Sequence, residues 1–538
     1  MLKILSSQSR TITGAAIIIA GATLINKFVG IARDRTIAHY FGAGPVTDAY
    51  YAAFKIPDLI YNLLVVGALT AGFIPIFTKL FYAGENKNPA WKMANNILNI
   101  LGLALLFFCA IGIAAAPWIS RLIAPGFLAE NMPLVVSFSR ILFLSPIFLG
   151  ASMVMGGVLQ SLRQFVLYSI APIFYNLGII FGAVVIVPFV GPIGLAIGVV
   201  LGAFMHFILQ FFGAWHAGYR WRWVLNFKDK AALEVGRLMV PRSLGLAVSQ
   251  THTIITTVLA SLLPIGSVAA YSFADNLHYV PIGIIGVSFA MAIFPVLSLN
   301  VAQNNLGDFK KNLSAGIRQI IFLITPCIII FLLLRAQIVR VVFGSGAFDW
   351  TATITTANAL AFFALGMLAD SLIPLLARAF FALSDTKTPL FTGLLGSLAS
   401  IISAFLLMRP LGVAGLALAG VVGGAVALSL LTIFMRKKIG SFADENIIPT
   451  IYKIAIAGLG MAAMVQIMKY PLAKIFDQNY FWGIFGQGFI AGLAGLSIYA
   501  ILCYIMKLQE LSQIMSSLRK KWLRLRNVQS TEIIETKE

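Results

Sequence analysis

Residues 191–203 read GPIGLAIGVVLGA and residues 412–425 read GVAGLALAGVVGGA. Laid one on the other, Gly191 falls on Gly412, Gly194 on Gly415, Leu195 on Leu416, Ala196 on Ala417 and Gly202 on Gly423, an offset of 221 residues. An offset of 220 pairs Tyr51 with Tyr271 and Pro75 with Pro295, setting GFIPIF against AIFPVL. Two separate matches at nearly one spacing mark an internal repeat. Within it, Gly194, Gly198 and Gly202, and likewise Gly415, Ala419 and Gly423, put small residues at i, i+4, i+8, where two helix backbones approach closely in a membrane. That spacing serves packing, and no chemistry is assigned to it.

The repeated stretches belong to a chain of 538 residues that is 59% hydrophobic and 11% charged, with a mean hydropathy of +0.92. Those values exclude an ordinary soluble domain. Apolar runs long enough to cross a hydrocarbon core, about 20 helical residues for roughly 30 Å, recur from end to end. They are continuous rather than alternating, so helices and not barrel strands do the spanning. The expected fold is therefore all-α and integral to the membrane. We place about fourteen transmembrane helices, starting near residues 12, 46, 94, 132, 166, 191, 239, 267, 313, 352, 388, 411, 448 and 482. The repeat divides these into two parallel six-helix halves, which in such proteins enclose a central cavity and rock around it, plus two C-terminal helices. The expected boundaries are 1–220 and 221–440 for the two lobes, 441–507 for the terminal pair and 508–538 for a basic tail.

The net charge of +20 is mostly an orientation signal. With the N-terminus in the cytoplasm, about 28 of the 39 Lys and Arg fall on that side and about 8 on the other, with about three inside the membrane. Both termini are then cytoplasmic. Between the halves, Trp215, Tyr219, Trp221 and Trp223 interleave with basic residues, and the tail sets Leu511, Met515, Leu518, Trp522 and Leu525 beside Arg519, Lys520, Lys521, Arg524 and Arg526. In a membrane protein the first pattern reads as an interfacial belt and the second as an amphipathic helix on the inner leaflet; neither is read as a nucleic-acid site. Cys109, Cys327 and Cys503 lie alone in apolar runs, and the five histidines lack metal spacing. No nucleotide loop and no nucleophile-base constellation is present, so neither an enzyme nor a cofactor is expected.

Charge inside the spans carries the functional signal. Lys27, Lys55 and Arg140 fall within or at the ends of spans, and Arg33, Asp34 and Arg35 cluster where the first helix should leave the membrane. A central charge costs roughly 2.5 to 3.5 kcal/mol on insertion scales, so such residues turn to a wet interior. For Arg33 and Arg35 a second reading stays open: they have already emerged into the headgroup layer. Intramembrane acids are sparse, Asp275 and Asp370 being the clearest. A cavity richer in cations than carboxylates favours an anionic substrate, and guanidinium groups suit phosphate because their fork of donors meets two oxygens at once.

The stretch IARDRTIAHYFGAGPVTDAYYAAFKIPDL, residues 31–59, resembles the first two helices of the MurJ (MviN) family of lipid II flippases. SRILFLSP at 139–146, APIFYNL at 171–177, GSGAFD at 344–349 and above all ARAFFALSDTKTP at 377–389 resemble the same family. The resemblance implies fourteen helices, two lobes around a central cavity, and a terminal pair forming a groove for the lipid tail. By position it implies a substrate-binding set of Arg33, Asp34, Asp48 and Lys55. Two family arginines fall on Tyr61 and Asn276, which leaves Lys27, Arg35, Lys55 or His278 to supplement Arg33, and an acid used for sodium in similar proteins falls on Thr256.

The resulting expectation is a flippase in the bacterial inner membrane that moves lipid II, or a similar polyprenyl-diphosphate glycolipid, to the outer leaflet. Membrane potential is the expected driving force and the coupling ion is left open. A monomer working among membrane lipids and cell-wall synthesis partners is expected. Three alternatives stand beside it: a flippase for an O-antigen or teichoic precursor, a cation-coupled drug exporter, which the scarcity of intramembrane acids disfavours, and a non-transporting membrane scaffold.

Overall fold

The computed structural model describes residues 12–66, 72–83, 85–441, 444–478, 480–513 and 515–516. Every regular element among them is helical. The first repeat comprises α1 (Ile12–Phe41), α2 (Pro45–Ala53), α3 (Lys55–Tyr61), α4 (Ile74–Tyr82), α5 (Asn88–Ile123), α6 (Met132–Leu142), α7 (Ser145–Ser161), α8 (Phe165–Phe181), α9 (Val187–Val190) and α10 (Ile193–His216). The second comprises α11 (Lys230–Ser261), α12 (Ser267–Ile282), α13 (Ser288–Ala302), α14 (Leu306–Leu333), α15 (Arg335–Phe343), α16 (Trp350–Ala382), α17 (Lys387–Leu411) and α18 (Val413–Ile439). The terminal pair is α19 (Asp444–Ile475) and α20 (Phe481–Ile505).

Eleven of the described helical stretches are long and apolar enough to cross a membrane. The positions expected for the first, second and seventh spans, outside those eleven, are occupied by α1, by the broken run α2–α4 and by α11. Most of the expected basic tail lies outside the described residues.

The repeat is visible in the backbone. Gly191 and Gly412 both adopt positive φ, +71° and +58°, each between two helices. An L side chain is strained there, so glycine is the residue that lets each helix stop and the next begin. A π-helical turn at Asn62–Val66 returns at Gly283–Val287, again 221 residues on. The small-residue stripe packs as its spacing requires. A Cβ added to Gly198 would stand 2.6 Å from the Gly182 Cα, and one added to Gly423 would stand 2.6 Å from the Gly396 carbonyl oxygen.

Prolines and glycines cut the second span into pieces. Gly42, with φ +61°, ends α1, and Pro45 opens α2 in the first turn, where its missing N–H costs no hydrogen bond. Pro57, in the first turn of α3, then separates α2 from α3 at Phe54.

The chain packs as two compact units, the described parts of Met1–Leu277, Val342–Ala359 and Ile401–Ala419 forming one and those of His278–Val341, Leu360–Ser400 and Gly420–Glu538 the other. In the first unit, a core of Phe73, Phe77, Met93, Leu105, Met155 and Val158 joins α4, α5 and α7. In the second, Leu313, Phe322, Leu375, Met435, Met461 and Tyr499 join α14, α16, α18, α19 and α20. There the Tyr499 hydroxyl donates to the Phe322 carbonyl at 2.8 Å, and buried Glu510 pairs with Arg318 at 3.4 Å.

Candidate functional site: a polar cavity built around Arg33

The first unit contains a cavity of about 440 Å³ lined from both repeats, by α1–α3 and α8 on one side and by α11 and α12 on the other. Its charged lining is Arg33, Lys55, Asp58 and Asp275, joined by His252. Tyr50, Tyr51, Tyr175 and Tyr271 supply aromatic walls, and Thr253, Thr256 and Thr257 supply hydroxyls from one face of α11.

Arg33 is the oriented group. Its Nε and Nη2 donate to Oδ1 of Asp34 at 2.9 and 2.7 Å, and its Nη1 donates to Oδ1 of Asn176 on α8 at 2.9 Å. Asn176 is itself held, its Nδ2 donating to Asn26 Oδ1 at 2.9 Å and to the Pro172 carbonyl at 3.3 Å. The Pro172 carbonyl receives this side chain just one turn before Asn176, so a single amide bridges α1 and α8. Three of the five guanidinium N–H groups are thus engaged among the described residues, and two remain to face a ligand. The side chain keeps 22% of its surface accessible while the Asp34 side chain keeps 6%. Asp34 stands behind Arg33, and its second oxygen receives the Asn276 amide at 3.1 Å.

Lys55 and Asp58 share one face of α3 at i, i+3, and Tyr51 precedes Lys55 by four residues along the same broken run. The Tyr51 hydroxyl is buried and has no hydrogen-bond partner among the described residues. A donor of that kind, desolvated and unpaired, is costly unless a bound group meets it.

One turn beyond the cavity, toward the end of α1, the first unit is tied shut. Asp48 is buried, and its two oxygens accept the backbone N–H groups of Gly266 at 2.6 Å and Ala269 at 2.7 Å, capping the N-terminus of α12. Arg35 donates through Nη1 to the carbonyl of Val342, in the last turn of α15, at 3.1 Å. The Ala347 N–H donates to the His39 carbonyl at 2.8 Å, and His39 Nδ1 lies 3.2 Å from Ser345 Oγ. The Asp48 and Arg35 pairings set charge against a helix end of the opposite partial charge, and the Ala347–His39 pairing closes a backbone bond.

The sequence-derived set therefore separates. Arg33, Lys55 and Asn276 line the cavity, with Asp34 directly behind. Asp48 and Arg35 are placed one turn away as helix-end ties, because both Asp48 oxygens and the Arg35 Nη1 meet backbone groups of the second repeat. Arg140 is exposed near the end of α6, and half-buried Lys27 stands six residues before Arg33 on α1; neither lines the cavity. Tyr61 packs beside the core of α4, α5 and α7. His278 belongs to the second unit, stacked on Phe363 with centroids 4.5 Å apart and 3.4 Å from Asp370.

Among the described residues this lining holds two cations and two carboxylates, so the expected excess of cations is not found in the described lining. Counting charges along spans credited the interior with Arg35 and Arg140, and overlooked Asp58. Helical spacing held a signal for the missed residues: Tyr51, Lys55 and Asp58 follow one face, as do His252 with Thr256, and Thr253 with Thr257.

Fold and site together define a multi-span membrane transporter with a polar, guanidinium-bearing cavity. Among solved structures, one described as lipid II flippase MurJ in an inward closed conformation matches with a TM-score of 0.76 at 22% identity, covering 91% of this chain and 98% of that one. An inward-facing multidrug resistance MATE family transporter of the MOP superfamily matches with a TM-score of 0.66 at 16% identity, covering 79% and 98%. The family model described as lipid II flippase MurJ matches residues 37–488. The lipid II flippase MurJ of Burkholderia cenocepacia is 29% identical over 432 residues, 79% of this chain and 84% of its own length. The probable lipid II flippase MurJ of Rhizobium tropici is 31% identical over 423 residues, 76% of this chain and 78% of its own. The chain belongs to the MurJ lipid II flippase family.

Proposed function

We propose that this transporter moves lipid II, a polyprenyl-diphosphate-linked saccharide, from the cytoplasmic to the outer leaflet of a bacterial inner membrane. The observation that carries the proposal is the Arg33 guanidinium, which lines the cavity, held by Asp34 at Nε and Nη2 and by Asn176 at Nη1, with two N–H groups not engaged among the described residues. A diphosphate in bare hydrocarbon has no compensation for its lost hydration, whereas charge-assisted bonds to a fixed guanidinium supply it. Lys55 adds a second cation, and the Tyr51 hydroxyl a donor to a phosphate oxygen. Asp58 and Asp275 limit how tightly the anion is held, which suits a site that must release its load. The isoprenoid chain stays in lipid or along α19 and α20, whose outer faces carry exposed Tyr452, Leu459, Tyr470 and Trp482.

Both termini are read as cytoplasmic from the distribution of Lys and Arg, which puts Phe41, Asp48 and Gly266 at the outer end. The ties from Asp48, Arg35 and His39 then form an outer lock that must break for release. An inside-negative potential contributes about 2.3 kcal/mol per charge per 100 mV toward outward movement of a dianionic headgroup, and we assign the driving force to it. The protein works as a monomer in this reading, beside enzymes that make and consume the same lipid.

The test is transport of fluorescent lipid II by the full chain in vesicles under an imposed potential. The expected result is translocation that depends on the sign of the potential and is lost in Arg33→Ala. Wild-type protein that moves an O-antigen-type lipid but no lipid II passes the assignment to that substrate class. Wild-type protein that moves neither makes the chain a scaffold.

A further inference from the structure

The stretch Tyr219–Asn226 leaves α10 with no regular secondary structure, yet it is stapled along α5 by three asparagines. Asn95 receives the Tyr219 hydroxyl and the Arg222 N–H at 2.8 Å each, and donates to the Arg220 carbonyl at 3.0 Å. Asn99 donates to the carbonyls of Arg222 and Val224 at 3.1 and 2.9 Å and accepts from the Trp221 indole at 3.2 Å. Asn96 exchanges two hydrogen bonds with the Asn226 backbone, at 2.9 and 2.8 Å. These are buried side chains on adjacent turns of one helix, so the strap has a fixed register on α5.

The strap is extended, and its side chains alternate as extended backbone requires. Arg220, Arg222 and Val224 face a polar cleft of about 950 Å³ that also holds Lys92 and Lys230. Trp221 and Trp223 face the opposite way, into an apolar groove of about 700 Å³ floored by Leu98, Gly102 and Phe207. The one acid among the described residues of the cleft, Asp229, has its carboxylate turned to the Ala232 N–H at 3.0 Å, capping α11. Arg220 is fixed over the Trp215 ring at 4.3 Å and donates to the Trp215 carbonyl at 2.7 Å. A four-cation cleft and an aromatic-walled groove thus share one wall.

We infer that this strap is a binding site for an anionic phospholipid of the inner leaflet, its phosphodiester in the Lys92–Arg222 cleft and an acyl chain in the Trp221–Trp223 groove. The inner-leaflet assignment rests on the orientation proposed above. The site is separate from the Arg33 cavity, with which it shares no lining residue. The juxtaposition selects the occupant: a soluble phosphate has no use for the groove, and a zwitterionic lipid none for four cations. Basic residues at such a surface contribute individually small but additive attraction to anionic headgroups. The tryptophans sit as amphipathic rings do at the headgroup level.

The experiment is native mass spectrometry of the detergent-solubilised full chain titrated with dioleoyl phosphatidylglycerol, dioleoyl phosphatidylcholine and lipid II. The expected result is a preference of about tenfold or more for phosphatidylglycerol over phosphatidylcholine. The double variant Lys92→Gln with Arg222→Gln removes that preference. Gly102→Phe weakens both phospholipids, because a Cβ there meets nothing within 4 Å and the ring fills the groove without disturbing the helix. Arg163→Gln, which removes an exposed cation outside the cleft, leaves binding unchanged. Equal binding of the two phospholipids, no effect of either cleft or groove variant, or an Arg163→Gln effect as large as the double variant's would overturn the inference. So would lipid II displacing phosphatidylglycerol from wild type and losing that ability in the double variant, since the strap would then be a substrate entrance. Because binding is read without transport, failure of the flippase assignment leaves these outcomes unaltered.

Discussion

Asp34 holds Arg33 by one oxygen and Asn276 by the other, so the carboxylate behind the cavity is shared between a residue of α1 and a residue of α12. The guanidinium is consequently aimed before any ligand arrives. An aimed donor set loses less entropy on binding than a mobile one, which is why orientation as well as charge matters at Arg33.

Arg33→Lys keeps the charge and removes the fork. Lys cannot bond Asp34 and Asn176 while presenting two parallel donors, so lipid II translocation should fall about 10- to 100-fold, matching one or two lost charge-assisted hydrogen bonds. Asn176→Leu should give a smaller decrease, since it loosens the aim and leaves the Asp34 bonds. Initial rates in vesicles under a fixed potential check both. A Lys variant as fast as wild type would mean that charge alone suffices.

Asp48→Ala leaves the Gly266 and Ala269 N–H groups without their acceptor and removes a negative charge from the start of α12. Loss of such a cap costs about 1 to 2 kcal/mol. The lock should then open more often. Cysteines introduced at Ala43 and Ile265, which face one cavity at that end, report this as a lower disulfide cross-linking yield than in the Asp48 background. An unchanged yield would remove Asp48 from the lock.

The Asp385 carboxylate lies between α16 and α17, where the Lys438 ammonium at 2.7 Å and the Thr388 N–H and hydroxyl hold it down to about 2. A carboxylate depressed on folding contributes stability that is fully present above its ordinary value of 3.8 and lost as pH falls through about 2. The melting temperature difference between wild type and Asp385→Asn should therefore be constant from pH 5 to pH 8 and shrink below pH 4. A difference that varies between pH 5 and pH 8 would show another titrating group behind it.

Gly198→Leu tests the backbone approach of α10 and α8. A Cβ at Gly198 already meets the Gly182 Cα at 2.6 Å, and overpacking of this kind costs about 1 to 3 kcal/mol. Thermal unfolding of the detergent-solubilised protein should show the loss, whereas Gly102→Phe, in open space, should not.

Hydropathy and the repeat were legible because the solvent imposes them. An unpaired backbone cannot face lipid, so helix starts expected at 132, 166, 267, 352, 388 and 482 fall within two residues of the observed ones. The repeat reappears as paired positive-φ glycines and paired π-turns, since backbone conformation at a glycine is a local property. Arg33 and Lys55 were legible for a similar reason: a charge in a span must find water or a partner.

Which partner each charge finds was decided by tertiary structure. Arg33 and Arg35 are two residues apart on one helix and therefore point some 200° apart, one into the cavity and one at the end of α15. Asp48 reads as another intramembrane acid until α12 brings its N-terminus within 2.7 Å. The amino-acid sequence alone determined that this chain spans the membrane as a repeated bundle with buried charge. Only the packing of residues far apart in the chain, 143 positions for Arg33 and Asn176 and 307 for Arg35 and Val342, determined which charges line the cavity and which tie helices together, because pairing depends on distance in space and hydropathy depends on composition along the chain.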